Sequence, residues 1–141
     1  MKIAIVSYDT GETLFEYEEE NNTISRTLEV AVAAGINLEA ADLSRAYLAG
    51  ASLAGANLKR ANFAEAYLEV TDLSGAFLTE ANLAGAVLQW AIFEGADLRN
   101  ADLRGADLRG ANLKDARLSG TEIRRARFLG ADFDGAKWNK Q

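Results

Sequence analysis

The chain has 141 residues, enough for one domain, with 49% hydrophobic residues, 26% charged residues and a formal net charge of −6. It contains no cysteine and no histidine, which excludes a disulfide framework and a thiolate metal site and removes the commonest general base and zinc ligand. No run reaches the roughly 18 apolar residues of a membrane span, and no basic segment followed by an apolar stretch opens the chain, so a cytoplasmic setting away from membranes is expected. Proline is also missing while alanine and glycine are abundant, a bias that points to internal repetition.

The first 35 residues do not repeat. Lys2 to Tyr8 alternates and is rich in Ile and Val, Asp9 to Glu12 is a turn signal, and Thr13 to Glu19 reads as a second strand, together a β-hairpin. Asn21 to Thr23 breaks the pattern. Ser25 then caps a short helix from Arg26 to Ala34 that Gly35 ends, with Ile24, Leu28, Ala31 and Val32 on one side. This segment is expected to plug the first turn of whatever follows. Its acidic run, Glu16, Glu18, Glu19 and Glu20, reads as a solvated strand end.

From Ile36 to Lys140 the sequence advances in fives. A large apolar residue recurs without interruption, from Leu38 and Leu43 through Phe63, Phe93 and Ile123 to Phe128, Phe133 and Trp138. Alanine stands two positions earlier in every repeat except at Ile36, Thr71 and Thr121. A step of five rotates about 140° around a helix, so no common face is buried. In a continuous strand it would turn alternate leucines outward. A short inward-facing strand followed by a two-residue corner accommodates the period. The frequent glycine at the second corner position, as at Gly50, Gly75 and Gly110, suits the unusual backbone angles of a corner.

The tandem Ala-(Asp/Asn)-Leu-x-x, as in Ala96-Asp97-Leu98-Arg99-Asn100 and Ala101-Asp102-Leu103-Arg104-Gly105, resembles the pentapeptide-repeat family over about three quarters of the chain. The resemblance implies an all-β fold: a right-handed quadrilateral parallel β-helix with four repeats per coil over residues 36–141, behind a hairpin-and-helix cap at 1–35. It also implies that Asp97, Asp102 and Asp107 bond to corner backbone. Those carboxylates recur on successive sides and diverge. No histidine partners the scattered serines and threonines, and no calcium loop or phosphate cradle is visible. The chain therefore reads as no enzyme, with no metal and no cofactor.

With four repeats per coil, residues twenty apart stack. Tyr47, Tyr67 and Val87 then share a column above Asp107 and Arg127, Val70 and Trp90 share the adjoining corner, and Ile92 begins the next side. These six residues, Tyr47, Tyr67, Val70, Val87, Trp90 and Ile92, are expected to form an exposed apolar patch that binds a protein partner, with cross-coil stacking as the alternative. Phe77 points outward on a different side. The basic residues Arg99, Arg104, Arg109 and Lys114 spread around the fourth coil beside acidic neighbours, so direct nucleic-acid binding is not expected.

The best reading is a non-enzymatic interaction module or scaffold. The alternative is duplex mimicry directed at a DNA-binding enzyme such as DNA gyrase, as for family members linked to quinolone resistance. A duplex carries about one charge per 1.7 Å, hence about 15 over the roughly 25 Å of five coils. The repeats hold 14 acidic and 13 basic residues, so charge mimicry is poor. At the C-terminal end Phe128, Phe133 and Trp138 either close the last coil or pack against a second chain. The resemblance favours a homodimer through this end.

Overall fold

The structure is a computed structural model and describes residues 1–139. The expected end of the repeats at Lys140 lies outside the described residues. Strand β1 (Lys2–Val6) pairs antiparallel with β2 (Thr13–Glu18), Ile3 opposite Tyr17 and Ile5 opposite Phe15, with a register shift between Ile5 and Val6. Alternation lets Ile5 reach the core while Lys2 and Glu16 form a surface ion pair at 2.8 Å.

Helix α1 runs Ile24–Ala33. Its N-cap is Thr23, two residues before the expected Ser25. Thr23 is extended (φ −130°) and its hydroxyl accepts from the Arg26 N–H at 3.0 Å. Asn22, which donates to Tyr17 O and to the Thr27 hydroxyl, fixes the chain so that the helix starts there. At the other end Gly35 takes φ +70°. Gly35 N–H donates to Val32 O and Ile36 N–H to Ala31 O, both at 3.0 Å, the paired bonds of a Schellman ending. The buried helix residues are Thr27, Leu28 and Ala31, with Ile24 and Val32 packed partly behind them.

The hairpin and helix lie on the start of the repeats. Asp42 N–H donates to Val6 O at 2.8 Å and Tyr8 N–H to Ala40 O at 3.0 Å, while Glu29 Oε1 accepts from Ser52 N–H at 2.9 Å. Arg60 reaches Asp9 at 3.2 Å. Leu38 and Leu43 are accordingly as buried as core leucines further along.

Among the described residues the repeat region contains no continuous strand. Parallel bridges link residues twenty apart, from Asp42 with Asn62 to Arg117 with Lys137. In each five-residue step the apolar residue's C=O accepts from the N–H three residues on, as Ala101 N–H to Leu98 O at 3.0 Å. The second corner residue has φ between 57° and 75° from Ala40 to Gly135. A left-handed residue only at the third position, with that bond, makes each corner a type II turn. Three residues remain for each side. Only the middle one exchanges both main-chain groups with the coil before it, as Asn62 does with Ala41 O at 2.9 Å and Leu43 N–H at 2.8 Å. Single bridges therefore stand where short strands were expected.

Leu48 to Leu118 and most of the alanines between them form one buried core. Thr71 replaces alanine without exposing a polar atom, because its hydroxyl donates to Leu48 O at 2.8 Å; Thr121 does the same to Leu98 O.

Candidate functional site

Side chains at the bridge position, and at the two corner positions after the core residue, face outward. Tyr47 and Tyr67 occupy bridge positions one coil apart. Their rings stack with centroids 4.6 Å apart and planes 6° from parallel, a separation set by the spacing of paired backbones. Tyr47 is 72% exposed.

Val70 and Trp90 occupy second corner positions, with φ 58° and 61°. This conformation costs an L-residue roughly 1–2 kcal/mol, and for a β-branched or bulky side chain it is an outlier. Both are nonetheless exposed, Val70 at 58% and Trp90 at 66%. The indole of Trp90 lies across Gly110 in the next coil: a Cβ on Gly110 would fall 2.6 Å from Trp90 Cε3. The corner column therefore reads Gly50, Val70, Trp90, Gly110, with the glycine below serving as the floor for the indole.

The structure thus brings Tyr47, Tyr67, Val70 and Trp90 to the surface. Val87 and Ile92 were expected to be exposed with them and are half-buried. Val87 bridges Tyr67 on one side and Asp107 on the other, and Ile92 bridges Asp72 and Asn112, so flanking side chains cover both. Phe77 is exposed on its own side, with Lys59 Nζ 5.9 Å from its ring centroid.

Glu69, between Tyr67 and Val70, is a feature that sequence reading missed. Glu69 is half-buried, and its Oε2 has no hydrogen-bond partner among the described residues. Ala49, one coil before, offers no side-chain donor. Gln89, one coil after, gives its amide instead to Asp107 Oδ2 at 2.9 Å.

Acids and bases in the fourth coil pair locally. Arg99, Arg104 and Arg109 each grip the aspartate two residues earlier through Nε and Nη2, at 2.6–2.9 Å. Each aspartate Oδ1 also accepts the arginine's own N–H at the corner. These bonds, led by the arginine side chain, hold Asp97, Asp102 and Asp107 well below the usual carboxylate range. Arg99 and Arg117 line an open cavity of about 590 Å³ with Lys137 and Trp138. Among the described residues no group of three or more Asp or Glu side chains could hold a metal ion, and no helix is long and apolar enough to cross a membrane.

At the C-terminal end Phe128 and Phe133 meet edge to face at 5.3 Å, and the rings of Phe133 and Trp138 lie 5.5 Å apart with planes tilted by 38°. Among the described residues the last core positions are the least covered: Ile123 is 39% exposed and Trp138 43%. Core-position N–H groups donate to the next coil as far as Leu118, and among the described residues those of Ile123, Phe128 and Phe133 have no main-chain partner.

A family model described as pentapeptide repeats matches residues 34–69, 61–100 and 101–137, in eight copies. No curated protein matches the sequence. Among solved structures, a pentapeptide repeat protein from Nostoc PCC 7120 is 31% identical, with 86% of this chain and 100% of that chain covered and a TM-score of 0.50. A pentapeptide repeat protein from the Arabidopsis thaliana thylakoid lumen is 32% identical, covering 67% and 63% with a TM-score of 0.54. QnrB1, a plasmid-mediated fluoroquinolone resistance protein, is 24% identical, covering 67% and 58% with a TM-score of 0.52, a likeness of fold alone. The chain spans less than two thirds of the length of the last two.

Proposed function

This chain belongs to the pentapeptide-repeat family, and from that premise we propose that it is a non-enzymatic protein-interaction module. Its contact surface is the face of Tyr47, Tyr67, Val70 and Trp90, with Val87 and Ile92 as its half-buried margin. The stack winds right-handed, as pentapeptide-repeat proteins do, with residues 1–35 as its cap. One observation carries the reading: two bulky apolar side chains are held exposed at left-handed corners. Glycine would relieve the strain there, and core packing does not require either side chain.

The test is quantitative capture of binding proteins by the full chain and by a Tyr67→Ser/Trp90→Ser variant with an unchanged circular dichroism spectrum. Loss of capture by the folded variant supports the face as the contact surface. Equal capture overturns it.

A second surface supports self-association. The C-terminal end exposes Trp138 beside Phe128 and Phe133, with donors at its edge that have no main-chain partner among the described residues. Two chains meeting there as a symmetric homodimer bury both features. Sedimentation equilibrium should give a dimer that Trp138→Asp converts to monomer; a wild-type monomer at high concentration rejects it. Duplex mimicry is not favoured, because Arg99, Arg104 and Arg109 neutralise the aspartates of the fourth coil.

A further inference from the structure

We infer that the cavity of Arg99, Arg117 and Lys137 binds the phosphate group of a small phosphorylated molecule. Its column runs from Phe77 through Asp97 to Lys137, two sides of the coil away from Tyr67, so this site is independent of the proposed contact face.

The coil geometry brings the cations together. Asp97, Arg117 and Lys137 hold successive bridge positions of one column, and Arg99 and Ser119 hold the corner positions beside them. Arg99 already grips both oxygens of Asp97, at 2.8 and 2.7 Å. Arg117 stands 3.5 Å from the same Oδ2. Among the described residues no carboxylate pairs with Lys137. Three cations thus meet one carboxylate, three charges against one. Bridged positions lie about 4.8 Å apart, so the like charges of Arg117 and Lys137 face each other, an unfavourable pairing. An anion seated between them turns that repulsion into attraction.

The wall adds neutral donors, the Ser119 hydroxyl and the Gly120 N–H. The equivalent N–H of Asn100 donates to Ser119 O at 3.0 Å, whereas that of Gly120 has no main-chain partner among the described residues. Forked guanidinium groups, an ammonium, a hydroxyl and a main-chain N–H come from three successive coils. That spread suits the several oxygens of a tetrahedral phosphate better than the two of a planar carboxylate. A volume of about 590 Å³ is in the range of small-molecule sites and leaves room beyond the phosphate. Trp138 supplies an apolar wall there. A nucleic-acid strand fits less well, because Glu122, Asp132 and Asp134 on the adjoining sides would repel its further phosphates.

The probes are inorganic phosphate and adenosine monophosphate, with adenosine as the uncharged comparison and chloride holding the ionic strength constant. Each is titrated into the full chain while the Trp138 indole N–H resonance is followed. Saturable shifts are expected with both phosphates and none with adenosine. Lys137→Gln, a change at an exposed position, is expected to weaken both by about tenfold with an unchanged circular dichroism spectrum, and Lys137→Arg to retain them. The urea midpoint should also rise in phosphate relative to chloride of equal ionic strength. Tighter binding of adenosine monophosphate than of inorganic phosphate supports a phosphate ester whose flat group lies on Trp138; equal binding supports a site for the phosphate group alone. The proposal is overturned by an absence of shifts with both phosphates, by an adenosine shift equal to that of its phosphate, by shifts that chloride reproduces, or by undiminished binding in Lys137→Gln.

Discussion

Replacing Trp90 by glycine separates a residue kept for contact from one that braces the stack. Trp90 is 66% exposed, so about a third of its surface packs, chiefly over Gly110. A third of the roughly 200 Å² that a tryptophan buries is about 70 Å², which at ~25 cal/mol/Å² is about 1.7 kcal/mol lost. Relief of the left-handed φ of 61° returns roughly 1–2 kcal/mol. The freer unfolded chain of glycine removes about 0.5–1 kcal/mol. The net expectation is a destabilisation of about 1 kcal/mol. For Val70, with a smaller packed area, Val70→Gly should lie within about 1 kcal/mol of wild type. Urea unfolding followed by circular dichroism measures both, provided the slope stays constant. A loss beyond about 3 kcal/mol for Trp90→Gly would refute the argument: the indole would then be a cross-coil brace and the strain a by-product of packing.

Three further outcomes follow from the same geometry. Phe93→Ala, in a fully buried site, should cost about 3–5 kcal/mol in the same assay, several times the Trp90→Gly effect. Thr71→Ala restores the usual residue of the repeat yet should destabilise by about 1 kcal/mol, because the buried bond to Leu48 O is lost; a gain in stability would contradict this. Asp97, Asp102 and Asp107 have folded pKa values lowered chiefly by Arg99, Arg104 and Arg109. Their contribution is therefore complete above the ordinary value of about 3.9 and disappears as pH falls through the lower folded values. The urea midpoint should drop across that acidic range, and a triple Asp→Asn variant should show a shallower drop.

The core was legible because every repeat meets the same surroundings. Leu98 has core residues of its own kind on both sides, as Leu78 does, so the five-residue period alone assigns its burial. The corners were legible for the same reason, and the left-handed angles at Val70 and Trp90 follow from their register with Gly50 and Gly110. The helix start was less so: Thr23 and Ser25 both suit an N-cap, and the choice was made by Asn22 through its bonds to Tyr17 and Thr27. Exposure of Val87 and Ile92 was misjudged because it depends on residues twenty positions away. The orphan oxygen of Glu69 was invisible for a related reason. The donor one coil away, Gln89, has a second acceptor in Asp107, and only three-dimensional geometry decides between them.

This division explains why the surface carries the functional information. Two of every five residues face the core, one a large apolar side chain and the other alanine in all but three repeats. The bridge residue and the two corner residues contact water or the equivalent residue one coil away. Most substitutions there leave the fold intact, so an outward residue is seldom required by folding. The second corner position is the exception, since its φ penalises every residue but glycine. Residues such as Arg60 and Glu80 bear that penalty while remaining solvated. Val70 and Trp90 bear it and also expose apolar surface to water. Two unfavourable features at adjoining coils of one corner, beside stacked tyrosines, single out this face over the other three.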